Sequence, residues 1–77
     1  MSRATVATVD TKGELCPVPV VKLALAIEEL QPGETVELIA TDPGSKADIP
    51  AWAEMTGHTL LRAEHRGDIY IFLVQKT

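Results

Sequence analysis

Cys16 is the one cysteine in the 77-residue chain, and it stands in the run Gly13-Glu14-Leu15-Cys16-Pro17-Val18-Pro19, between a β-like stretch and a helical one. A thiol at such a junction can serve as a nucleophile, because the thiolate is the reactive form and a helix start favours it. If Pro17 is the first helical residue, its fixed φ suits the turn and its missing N–H costs nothing there, so Cys16 falls at the N-cap. The free N–H groups and the positive end of the helix dipole then predict a lowered thiol pKa. Pro19 also lacks an N–H, which leaves mainly the donors of Val18 and Val20 and makes the predicted lowering modest. Cysteine is not a preferred N-cap residue, so its presence asks for a reason other than capping. The plain alternative is a small, buried, inert residue, the usual state of a free intracellular cysteine.

Other side chains add candidates around this thiol. Lys12, Lys22 and Lys46 are the cations expected near the motif, where they could lower the thiol pKa or meet an acidic partner. Asp42 and Asp48 are further candidate partner contacts, although aspartates at strand ends and helix starts commonly serve turns and backbone N–H groups. Gly13 suits a positive φ or a close backbone approach, either of which would present Leu15 and Cys16, with Leu15 itself expected to pack inward. His58 and His65 lie seven residues apart with no partner cysteine, so no metal site is expected. Nothing in the sequence sets either histidine beside Cys16, and both read as surface residues rather than as half of a Cys/His pair. No cofactor is implied.

The elements that must position these residues can be read from periodicity. Residues Ala4 to Val9 form a β-branched strand, and Asp10 to Gly13 break it as a loop. From Pro17 to Leu30, Val20, Leu23, Ala24, Ile27 and Leu30 repeat at helical spacing, until Gln31-Pro32-Gly33 ends the helix. Glu34 to Thr41 alternates, with Val36, Leu38 and Ala40 on one face. Asp42 to Ser45 is a turn, and the next helix is capped by Ser45 or, as Pro50 suggests, by Asp48. Its apolar stripe is Ile49, Trp52, Ala53 and Met55 or Thr56, with Trp52 as core or half-buried cover, and Gly57 ends it. His58 to His65 and Ile69 to Val74 form a hairpin about Arg66-Gly67-Asp68. The order βαβαββ predicts an α+β two-layer sandwich, a four-stranded mixed sheet with both helices on one face and the other face partly exposed. In it the loops Thr11 to Cys16 and Asp42 to Asp48 could meet at one edge of the sheet.

The pattern Asp10-x-x-Gly13-x-x-Cys16-Pro17-x-Pro19 resembles the signature of the TusA/SirA-type sulfur carriers, small proteins built around a Cys-Pro-x-Pro motif. Pro32-Gly33-Glu34, Asp42-Pro43 and Asp48-Ile49-Pro50 fall where that family has similar residues, so the resemblance covers nearly the whole chain. It implies that Cys16 carries sulfur as a persulfide, supported by Gly13, Pro17 and Pro19. The sulfur would come from a cysteine desulfurase or similar donor and pass to an acceptor protein in tRNA thiolation, molybdenum-cofactor maturation or sulfur oxidation. Some members of the family carry another cysteine in the second helix. Here that stretch is Pro50-Ala51-Trp52-Ala53-Glu54-Met55, which excludes a two-cysteine relay within the chain.

Composition bounds the alternatives. Residues 1–77 read as one domain, with 45% apolar residues but a single Trp, Tyr and Phe, so the core must come from aliphatic side chains. A net charge of −4 without a Lys/Arg cluster argues against direct nucleic-acid binding. No signal peptide and no run approaching about 18 apolar residues is present, so a cytoplasmic protein with no membrane association is expected. A monomer is expected. The leading reading is a sulfur carrier without turnover of its own, to be classed as a sulfurtransferase if as an enzyme. Two alternatives stay open: a protein-binding regulatory module in which Cys16 is structural, and a one-cysteine thiol oxidoreductase or sensor that relies on an external reductant.

Overall fold

In the computed structural model, which describes residues 5–77, the chain runs β1 (Thr5–Thr11), α1 (Val18–Glu28), β2 (Thr35–Ala40), α2 (Ser45–Thr56), β3 (Thr59–Arg66) and β4 (Ile69–Gln75). Ala4, counted in the first strand from the sequence, lies outside the described residues. The sheet order is β1-β2-β4-β3: β1 and β2 are parallel, and β4 is antiparallel to both its neighbours. This is the predicted α+β sandwich. Both helices pack on one face, α1 over β1 and β2 and α2 over β3 and β4, and they touch each other.

The core forms where the predicted stripes meet. Leu23 and Ile27 of α1, and Leu30 just beyond it, pack against Val36 and Leu38 of β2, Ile49 of α2, and Phe72 and Val74 of β4. Alternation along β2 buries Val36, Leu38 and Ala40 completely, as a strand with one face toward the helices requires. Trp52 is half-buried against this core, the cover role its place on the stripe suggests. Met55 was a candidate for the same stripe but is 80% exposed. The core contact of α2 is carried by Ile49 and Ala53, four residues apart on one helical face, and Met55 points off that face.

Several boundaries differ from the sequence reading, and two of them matter for the thiol. β1 runs on through Asp10 and Thr11, because parallel pairing with β2 continues to Thr11 opposite Ala40 and overrides the turn preference of Asp10. The first helical residue of α1 is Val18, with Pro17 as its N-cap, so Cys16 stands one residue outside the position expected. Pro19 is then the second helical residue, still within the turn that tolerates a missing N–H. α2 is capped by neither Ser45 nor Asp48: Gly44 is the N-cap, without a side-chain cap bond, and Pro50 lies inside the helix. Gly57, at φ 85°, ends α2 in the left-handed conformation expected of it. The β3–β4 turn is shorter than expected, since Arg66 pairs with Ile69 and leaves two residues in the loop.

Candidate functional site

Parallel pairing of β1 with β2 brings the two strand-to-helix junctions side by side, and a ladder of polar contacts ties them together. The buried Thr11 hydroxyl donates to the Ile39 carbonyl at 2.6 Å. The Gly13 N–H donates to Thr41 Oγ1 at 2.8 Å, with Gly13 at φ 83°, the positive value foreseen for it. The Cys16 N–H donates to Asp42 Oδ2 at 2.9 Å. Last, the Cys16 thiol donates from Sγ to Asp48 Oδ2 at 2.7 Å. The two loops expected to meet do so, and Asp42 and Asp48 both reach Cys16. Thr41, which anchors the Gly13 turn, was not singled out in the sequence. A short polar residue between a strand and an Asp-Pro turn is too common to mark it.

Cys16 is exposed, so the reading of a buried, inert thiol does not describe it. Leu15, expected to pack inward, is instead 70% exposed, because the Val18 N–H closes a tight turn onto the Leu15 carbonyl and holds the segment over the helix start. That same bond removes one of the two main donors assigned to the thiol.

The predicted lowering of the thiol pKa is reversed. The thiol pKa is raised, first by the hydrogen bond to Asp48, then by desolvation and by the negative charges of Asp48 and Asp42. A carboxylate that accepts the S–H proton favours the neutral thiol, and a thiolate in its place would face two like charges. The helix start cannot offset this, since Cys16 is not at the N-cap and Pro17 and Pro19 have no N–H to give.

The lysines do not gather at the thiol. Lys12 pairs with Asp10 at 3.6 Å, and Lys22 is held by both oxygens of Glu14 at 2.9 Å. Lys46 lines a shallow groove with His65 and Tyr70. The histidines stand apart from the thiol, His65 stacked on Tyr70 at 4.2 Å and His58 tilted against Trp52 at 5.5 Å. Among the described residues, no group of three or more His, Cys, Asp or Glu is placed to hold a metal ion, and no helix is long and apolar enough to cross a membrane.

The described site is thus an exposed thiol at the mouth of a βα junction, tied to the next junction by two aspartates. The sequence model of the family described as sulfurtransferase TusA matches residues 7–76. The chain belongs to the TusA family. The sulfur carrier protein TusA of Pseudomonas aeruginosa is 33% identical over 76 residues, covering 99% of this chain and 96% of that protein. The protein of the same name from Allochromatium vinosum is 34% identical over 68 residues, covering 88% and 90% of the two chains. YrkF of Bacillus subtilis is 43% identical over 76 residues, and this chain spans 40% of its length. A crystal structure of a SirA-like protein from Desulfitobacterium hafniense superposes with a TM-score of 0.78 at 23% identity, covering 94% of this chain and all of that one, and so shares the TusA-family fold.

Proposed function

We propose that Cys16 is the sulfur-bearing residue of this TusA-family sulfur carrier, taking sulfur as a persulfide from a donor protein and passing it to an acceptor protein. The observation that carries the reading is the exposure of the chain's one thiol at the βα junction. In loading, Cys16 Sγ attacks the outer sulfur of the donor persulfide, one S–S bond forms as another breaks, and the donor leaves as a thiol. In delivery, an acceptor thiolate attacks the outer sulfur and Cys16 is released. No second cysteine is needed for either step, which sets a carrier apart from a self-contained dithiol oxidoreductase. The donor chemistry that fits is a cysteine desulfurase or another persulfide-bearing protein, and the acceptor belongs to a thiolation, cofactor-maturation or sulfur-oxidation relay in the cytoplasm. We assign Gly13, Pro17 and Pro19 a supporting role. Gly13 gives the turn its positive φ, and Pro17 and Pro19 stiffen the first turn of α1.

The test is intact-protein mass spectrometry after incubation with a cysteine desulfurase and cysteine. Wild type is expected to gain about 32 Da, reversible by a thiol reductant, and Cys16→Ser to gain nothing. An equal gain on Cys16→Ser, or none on wild type with any persulfide donor, would sink the reading.

A further inference from the structure

The charge around Cys16 is unusual for a residue that must act as a nucleophile. Asp48 reaches it from α2 and Asp42 from the β2–α2 loop, and these two carboxylates are the charged groups that act on the thiol. Its sequence neighbours Lys12 and Lys22 are spent on Asp10 and Glu14. The fold makes room for the carboxylates. Gly44 has an ordinary helical φ of −63°, so its backbone does not need glycine, yet a Cβ there would lie 3.1 Å from Asp42 Oδ2 and 3.6 Å from Asp48 Oδ2. Asp42 is committed to the Cys16 backbone, which leaves Asp48 as the group that meets sulfur directly.

We propose that Asp48 is the positioning residue of the carrier cysteine: its carboxylate holds the empty thiol as a proton donor against α2, and Cys16 becomes a nucleophile only when this hydrogen bond is given up. The proposal rests on the reading of Cys16 as the sulfur-bearing residue. Loading then has a defined proton path. Cys16 gives up its proton to solvent, the thiolate attacks the donor's outer sulfur, and the departing donor thiolate takes a proton back, so that no oxidant is consumed. In the loaded form the inner sulfur carries no hydrogen, and the bond from Sγ to Asp48 cannot form. Asp48 thereby distinguishes the two states of the carrier, docking the side chain when it is empty and releasing it when it is full. A raised thiol pKa is what such a contact produces, and it protects the free carrier from indiscriminate alkylation and oxidation.

The test is the pH profile of alkylation of the reduced, empty protein by iodoacetamide, an uncharged probe. Asp48→Asn should move the profile to lower pH and raise the rate near neutrality by roughly threefold or more, the gain in thiolate being partly offset by its lower nucleophilicity. Asp48→Glu, which keeps the charge, should stay near wild type, and Asp42→Asn should shift less than Asp48→Asn. An Asp48→Asn profile that coincides with wild type overturns the proposal, as does a Glu variant displaced as far as the Asn one. A measurement on wild type alone keeps the test independent of how the variants fold: the Cys16 ¹³Cβ resonance should titrate at higher pH in the folded protein than in urea, and an equal or lower midpoint is a refutation. Sulfur gain by mass, measured on the same wild-type preparation, separates the two ideas. A wild type that takes sulfur but shows no effect of Asp48 loses only the positioning role, and one that takes no sulfur loses the carrier site itself.

Discussion

After β1 the chain takes six residues to reach α1, and after β2 only four to reach α2, yet both turns finish at the same edge of the sheet and face each other. The first junction presents. Leu15 and Cys16 project from it, and the helix it opens has prolines at the N-cap and at the second position instead of a side-chain cap. The second junction grips. Its Asp42 and Asp48 reach across to the first, while Ile49, next to Asp48, is buried without residue and fixes α2 on the sheet. An exposed thiol is thus set on the projecting turn, and the carboxylates that contact it are set on a segment anchored in the core. A positioning carboxylate is effective only when its own backbone does not move.

The largest effect that could break this division is on sulfur itself. Cys16→Ser should abolish sulfur loading while unfolding within about 0.5 kcal/mol of wild type, because the side chain is exposed. Loss of loading accompanied by a collapse of the urea midpoint would place Cys16 on the gripping side of the comparison.

Stability should divide the other way. Ile49→Ala is expected to cost about 2–5 kcal/mol in urea unfolding, the usual range for emptying a fully buried aliphatic site, whereas Leu15→Ser should stay within about 0.5 kcal/mol. Equal costs at the two positions would erase the distinction between a presented and an anchored turn.

The two glycines sharpen it further. Gly13→Ala meets no neighbouring atom but must adopt φ 83°, and should cost about 1–2 kcal/mol. Gly44→Ala keeps a comfortable φ but presses on the Asp42 carboxylate. It should change the alkylation profile of Cys16 more than it changes the melting temperature. The reverse ranking, with Gly44→Ala the less stable and chemically silent variant, would show that Gly44 serves the helix rather than the thiol.

The smallest effect is the pH dependence of stability. A thiol whose pKa is raised by folding contributes stability that is fully present below the unfolded thiol's pKa, about 8.5, and is lost as pH rises through the higher folded value. The melting temperature of wild type relative to Cys16→Ser should stay level through neutral pH and fall in alkali. A difference that grows in alkali would mean a lowered thiol pKa and would restore the helix start as the dominant influence on Cys16.

The sequence by itself determined the order of elements, the stripes that become the core, the βα position of Cys16 and the family. Each of these follows from local periodicity or from a short motif, and β2 is the clearest instance, because its alternation places Val36, Leu38 and Ala40 on the face the helices cover. Gly13 was equally legible, since a positive φ is a local demand that one residue type meets best. The tertiary structure decided what surrounds the sulfur. Asp42 and Asp48 lie 26 and 32 residues from Cys16 and reach it only because β1 and β2 pair in parallel, in constant register from Ala7 opposite Val36 to Thr11 opposite Ala40. Helix start and carboxylates push the thiol in opposite directions, and local sequence shows only the first. A hydrogen bond at 2.7 Å to an anion outweighs a helix end that Cys16 does not cap and whose prolines have no N–H to give, so the sign of the pKa shift was fixed by contact across the fold.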